Sequence, residues 1–423
     1  MLYDISTLGW GHRNNYARTG IYRTVENVAR GLKTAPDCEL RFSAIGSFRL
    51  HAQCVDYLAA EPDLKSVAFK SEGIESTAVR RLHKLAQNMN GGRKRSIPAR
   101  ALRKISEAGI DLIEASRNSV KPRDWRESDV FHSSQFPLPS KSITGHRVKR
   151  FLTVYDLIPL IYPQMTGAGF SSLFQKIIDS ITPDDWIICI SNSVKTDVCN
   201  HLNVDPSRVF VAPLAAERNL FYPCTDPEKQ ASVRQKYLLP EVPYVLALGS
   251  LEPRKNLNQT VESFTRLVNQ EGIKDLALVV VGEKTWGYEG AMAKLNKFEH
   301  LKDRIAFTGY VDDQDLAPLY SGAAAFVYPS LCEGFGLPPL EAMQCGVPVI
   351  CSNATSLPEV VGDAALLVEP TDTDAWCQSL LSLYSNETLR NELAQKSLRR
   401  AETFSWERCT GEVIAAYHAA LSQ

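Results

Sequence analysis

AAFVYPSLCEGFGLPPLEAMQCGVPVICS, residues 324–352, holds a complete strand–loop–helix–strand unit. AAFVYPS and VPVICS are short apolar runs of the kind that form buried strands. Between them, LPPLEAMQCG predicts a helix. Pro338 and Pro339 fit its first turn, where a missing N–H costs nothing, and Gly346 fits its end. Glu333 then lies on the strand-to-helix loop and Glu341 one turn into the helix. Gly334 and Gly336 allow that loop's backbone to approach a ligand closely. Free N–H groups at a helix start attract anions such as phosphate, and a carboxylate beside them can accept hydrogen bonds from sugar hydroxyls. Taken alone, the two acids read more simply as a cap and a surface charge.

The same rhythm extends outward. YVLALGS (244–250), LALVVVG (276–282) and RIAFTG (304–309) are further buried strands, and NLNQTVESFTRLVNQ (256–270) places Leu257, Val261, Phe264 and Leu267/Val268 on one helical face. Continuous apolar strands alternating with helices predict a parallel sheet covered on both sides. Ligands are then expected outside the carboxyl ends of the strands. The first half repeats the theme. MLYDIST opens as a strand, GIYRTVENVARGLKT (20–34) is an amphipathic helix, and KRFLTVYDL (149–157) and DWIICIS (185–191) are strands. A helix over 193–202 follows, with Ser191 or Asn192 as its cap. The proline-rich, polar segment 221–230 marks a boundary. The fold class is α/β, with two Rossmann-like, doubly wound domains.

Composition bounds the function. With 423 residues the chain exceeds one ordinary core. An apolar fraction of 44%, 22% charged residues and a net charge of −1 describe an ordinary globular protein with no overall bias toward nucleic acid or anionic membrane. The ten cysteines show no Cys-x-x-Cys or zinc spacing and read as reduced thiols, which places the protein in the cytoplasm. No stretch approaches the ~18 consecutive apolar residues of a membrane span. Residues 76–106 carry nine Lys/Arg and no Asp or Glu. This stretch is either solvated surface or a contact for an anionic acceptor or the inner face of a membrane.

GSLEPRKNL (249–257) follows the second half's first strand, so Arg254 and Lys255 sit where a doubly wound domain binds its ligand. A guanidinium fork beside a flexible ammonium suits a diphosphate. Together with LVVVGEKTWG, FTGYVDDQDLAPLYSGAAAFVYPSLCEGFGLPPLEAMQCGVPVICSNATSLPEVVGDAALLVEP and FSWERCTGEVIAAY, this pattern resembles the retaining GT-B glycosyltransferases of family 4, also called group 1. The resemblance implies two Rossmann-like domains facing a central cleft: an acceptor domain over 1–225, a nucleotide-sugar domain over 226–403, and a last helix, 404–423, crossing back. It implies transfer of a hexose from a nucleotide-sugar to a glycan or lipid-linked acceptor, with no metal or other cofactor.

Roles follow by position from the same resemblance. Arg254 and Lys255 hold the donor diphosphate, Glu333 the sugar and Glu341 the ribose. The backbone of Gly334, Phe335, Gly336 and Leu337 touches sugar and phosphates, that of Tyr310 and Val311 the base, and Gly20 is the matched glycine of the first domain. Where many members have His-Asp this chain has Tyr155-Asp156. Asp156 is either a polar group beside the reacting centre or a cap on the next turn. Ser191 and Lys195 fall near the acceptor cleft. Two Asp-x-Asp sequences, Asp313/Asp315 and Asp372/Asp374, read as turns and helix caps. Two enzyme alternatives keep the fold, a nucleotide-sugar epimerase and a phosphorylase. An inactive carbohydrate- or nucleotide-binding module is the third.

Overall fold

Two parallel sheets organise the chain. The computed structural model describes residues 1–13, 20–45, 48–70, 120–166, 171–282 and 299–423. The basic stretch 76–106 and most of the GEKTWG segment lie outside them. Seven strands form the first sheet: β1 (Leu2–Asp4), β2 (Arg41–Ser43), β3 (Ala68–Phe69), β4 (Val130–Ser133), β5 (Lys149–Val154), β6 (Trp186–Cys189) and β7 (Val209–Val211). Their order is β3-β2-β1-β4-β5-β6-β7. The second sheet comprises β8 (Tyr244–Leu248), β9 (Ala277–Val281), β10 (Ile305–Gly309), β11 (Ala325–Tyr328), β12 (Val349–Ser352) and β13 (Ala365–Val368). They run in the order β10-β9-β8-β11-β12-β13. Each pairing is parallel, as between Leu246 of β8 and Phe326 of β11. The apolar runs sit inside: β4, β6, β9, β11 and β12 are buried at every position. Burial of that kind contributes about 1.5–3 kcal/mol per large apolar side chain.

Two local expectations need correcting. The opening strand stops at Asp4, and Ser6–Arg13 is a helix. The cause is Asp4, whose buried carboxylate accepts the Ser6 N–H at 3.1 Å and the Ser6 hydroxyl at 2.5 Å, turning the chain. At the helix Asp313–Ser321 the cap position belongs to Asp312, and Asp313 and Asp315 occupy the first turn. Elsewhere the local signals hold: Ser191 caps Asn192–His201 through the Val194 N–H, and Gly346 ends Leu337–Gln344 with φ +73°.

The polypeptide leaves the first sheet after β7, enters the second domain through the helix Pro227–Lys236, and returns. Its last helix, Trp406–Leu421, packs on the helix Gly20–Thr34 and on β6 and β7 of the first domain. Cys409, Val413, Ala416, Tyr417 and Ala420 are its buried face. Gly31 makes room for it, since a Cβ there would fall 2.2 Å from the Thr410 hydroxyl. Tyr417 packs edge-on against Phe151, centroids 4.8 Å apart, and its hydroxyl meets the buried His132 Nδ1 at 2.6 Å.

Candidate active site

The second sheet reverses its strand order between β8 and β11, and the loops after those two strands meet there. This topological switch point is where a doubly wound sheet opens a crevice for ligands. The β8 loop carries Arg254 and Lys255 on a tight turn, Pro253–Lys255. Asn256 follows in a left-handed conformation, φ 55°, and its amide donates to Pro329 O at 3.1 Å and Pro370 O at 2.9 Å. The Leu331 N–H closes the junction on Arg254 O at 2.8 Å. The Asn256 side chain and this backbone bond thus fix both loops before any ligand arrives.

Glu333 is the centre of the cluster. Its carboxylate accepts from Arg254 Nη1 at 2.8 Å, Lys255 Nζ at 2.6 Å, the Tyr328 hydroxyl at 2.8 Å and the Ser330 hydroxyl at 2.7 Å. Burial alone would push this carboxyl up. The ammonium of Lys255, the guanidinium of Arg254 and the Lys255 and Ser330 hydrogen bonds outweigh it and hold the group at about 2. Arg254 also pairs with Glu252 at 2.8 Å. Two cations and two carboxylates therefore form one largely buried ion cluster.

Glu341, one turn into the helix Leu337–Gln344, has the opposite electrostatics. It is buried, and burial raises its carboxyl to about 7 against the opposing pull of Arg23 and a hydrogen bond from Tyr320. The Tyr320 hydroxyl donates to it at 3.1 Å. Arg23, from the first domain, stands 3.8 Å away and also pairs with Asp313 at 2.7 Å.

The first domain closes over this edge. Gly334 lies against the Tyr155–Asp156 backbone so closely that a Cβ would fall 2.0 Å from Tyr155 O. Its lack of a side chain is therefore demanded by the opposite domain as well as by any ligand. The Ser191 hydroxyl donates to Gly334 O at 2.7 Å, and Glu359 accepts from the Asn192 and Ser193 N–H groups at 3.0 and 3.2 Å. Asp156 lies between its own loop and the Arg254–Lys255–Glu333 cluster. It accepts the Ile158 N–H at 3.0 Å, capping the next turn. It also feels Arg254, Lys255 and Glu333, although burial prevails and raises its carboxyl. Gly20 opens the helix Gly20–Thr34 and faces Leu337. The Phe335 ring is buried against Phe404, leaving its backbone as the part that can meet a ligand. Gly336 has φ +120°, which favours glycine. Tyr310 is exposed at the cleft side of β10 and Val311 is buried. The structure draws no hydrogen bond from Lys195 to the cluster.

Sequence reasoning missed Arg23, Tyr320, Tyr328 and Ser330. Tyr328 and Ser330 flank the end of FVYPS, where side chains at a strand's carboxyl end project into the crevice. Arg23 lies one helical turn past Gly20. The carboxylates of the Asp-x-Asp pairs are engaged: Asp313 with Arg23, Asp315 with Lys236 at 2.6 Å and the Tyr237 hydroxyl, Asp372 with the Ala375 N–H, and Asp374 with Arg266.

Residues 229–400 match the family model described as glycosyl transferases group 1. The chain is 34% identical over 308 residues to the O-antigen chain mannosyltransferase B of Escherichia coli, covering 72% of this chain and 78% of that protein. Among solved structures it is similar to a sucrose-phosphate synthase from Thermosynechococcus elongatus, with TM-score 0.64, 18% identity, and coverage of 100% of this chain and 98% of that one. It is likewise similar to a glycosyltransferase from Rickettsia africae ESF-5, with TM-score 0.64, 17% identity and 96% coverage of each. The fold shared with these structures is GT-B.

Proposed function

The chain belongs to the group 1 glycosyl transferases, and from that premise we propose that it moves a hexose, mannose first among the candidates, from a nucleotide-sugar to a hydroxyl of a growing polysaccharide or lipid-linked glycan, with retention at the anomeric carbon. The similarity to the E. coli O-antigen chain mannosyltransferase favours mannose and that class of acceptor. The observation that carries the reading is the meeting of Arg254, Lys255 and Glu333 at the switch point of the second sheet.

Breaking the bond between sugar and diphosphate builds negative charge on the leaving phosphate. Arg254 and Lys255 are fixed in advance where that charge would develop, so they stabilise the transition state without reorganising. In this reading they supply the charge neutralisation for which other transferases use a metal. Glu333 holds both cations and accepts from sugar hydroxyls. The acceptor enters from the first domain's side, past Asp156 and Ser191, and its proton passes to the departing phosphate. Contact between the domains at Gly334 excludes water from the reacting centre. The work is expected at the inner face of the cytoplasmic membrane; among the described residues no helix is long and apolar enough to cross one.

The test is nucleotide release and thermal shift across UDP-, GDP-, ADP- and dTDP-sugars with mannan and lipid-linked acceptors. One donor should be consumed only when acceptor is present. Arg254→Ala and Lys255→Ala should each lower turnover about 10²–10³-fold. Unchanged turnover in the double variant would overturn the reading, as would conversion of donor to an epimer without acceptor.

A further inference from the structure

Two helices, one from each domain, face each other across the cleft in matching register. Gly20 opens the first and lies against Leu337, which opens the second; the distance from a Cβ on Gly20 to Leu337 Cδ1 would be 3.6 Å. One turn further along each helix, about 5 Å, Arg23 stands opposite Glu341 at 3.8 Å. Arg23 is largely enclosed, with its guanidinium over the Phe221 ring at 5.7 Å and one nitrogen 2.7 Å from Asp313. The first domain thus places a fixed cation against the very carboxylate assigned to the donor's ribose.

We propose that Arg23 is a positioning residue of the donor site, aligning Glu341 from the opposite domain, so that nucleotide binding and the closed arrangement of the two domains support each other. The inference rests on the reading of Glu341 as the ribose ligand. Ribose hydroxyls donate hydrogen bonds, and an ionised carboxylate accepts them more strongly than a protonated one. Burial works against that ionisation. Among the described residues, the groups facing Glu341 are Arg23 from the first domain, Glu217 from the segment after β7, Asp313 and Tyr320 from the helix Asp313–Ser321, Tyr328 from the end of β11, and Cys345 from the end of its own helix. Arg23 is the one cation among them. The acids Asp313 and Glu217 oppose the charge, and Tyr320 only hydrogen-bonds to it. Opening the cleft would remove that cation, leaving the carboxyl to protonate.

The experiment is calorimetric titration of UDP, GDP, ADP and dTDP from pH 5.5 to 9 into the wild type, Arg23→Gln, Arg23→Lys, Glu341→Gln and the Arg23→Gln/Glu341→Gln double variant. The wild-type affinity for its nucleotide should rise with pH through about 7. Arg23→Gln should move that rise upward by about one pH unit, an affinity about fivefold weaker at pH 7 and about tenfold weaker at pH 5.5. Arg23→Lys should recover most of it and carries the comparison if the glutamine variant folds poorly. Adding Arg23→Gln to Glu341→Gln should change nothing further, and donor KM should rise with kcat at saturation held within about twofold. An Arg23→Gln titration that follows the wild type, or an equal loss in both backgrounds, would make Arg23 a packing residue and overturn the proposal alone. A wild type that binds none of the four nucleotides would sink the donor site and this inference with it.

Discussion

Glu333 and Glu341 are the same side chain eight residues apart, and the fold sets them to opposite tasks. Glu333, among two cations and two hydroxyls, is held near 2 and stays charged at every physiological pH. Its pairing stabilises the fold above about pH 4.5, and that contribution is lost as pH falls from there toward 2. Glu341, raised to about 7, has the reverse sign. The folded state binds its proton more tightly than the unfolded chain does, so its contribution is most favourable below about 4.5 and declines as pH rises through about 7. Thermal melts of wild type and Glu341→Gln should therefore diverge between pH 4.5 and 7.5, the variant gaining up to about 3 kcal/mol relative to wild type at the upper end. Parallel curves would show that Glu341 is not buried as described. The spacing of the two acids was legible in the sequence, and so was their place on a loop and a helix. Their opposite ionisation was not, because it depends on Arg254, Lys255 and Arg23, which lie 79, 78 and 318 residues away from the acid each one meets.

At the level of elements, the unit 324–352 behaves as its prolines and glycines dictate: strand, glycine loop, helix, strand. Strand and helix positions were readable because each answers to its own local pattern. Segment ends were less so; the Asp4 carboxylate ends β1 early by bonding Ser6 and the Ile45 N–H, the second reaching across 41 residues. The function of Gly334 was readable only in part, since its neighbour Tyr155 belongs to the other domain. Gly334→Ala would place a methyl group against rigid backbone. The loop must then retreat or the domains part. Turnover should fall by about 10²-fold, the cost of roughly an ångström's misplacement of reacting groups, while nucleotide affinity falls much less. Full activity in this variant would mean that the contact at Gly334 is not part of the working enzyme.

Seen whole, the molecule is two sheets joined by apolar packing, by polar contacts at the crevice and by one helix that belongs to the first domain yet follows the second in sequence. The presence of two doubly wound sheets was legible from the strand rhythm. The meeting of the domains was not, because Asn192 with Glu359 and Ser191 with Gly334 pair residues far apart in sequence through ordinary polar groups. A chain ended at residue 403 would lose the Tyr417 partner of the buried His132 and the apolar cover of the Gly20–Thr34 helix. Leaving one such buried group unsatisfied costs about 1–3 kcal/mol, before the lost apolar burial is added. Proteolysis with peptide mapping should find cuts concentrated in the first domain of the shortened protein and few after residue 244; equal protection of both halves would contradict this packing.

The returning helix also gives synthesis an order. During translation the seven-stranded sheet emerges first but must wait, with its flank beside β6 and β7 uncovered, until some two hundred further residues have been made. The intervening six-stranded domain contains all its own strands and can mature meanwhile. The half made earlier is thus completed later, and the ribosome delivers the seal for the first compartment only after the second is built.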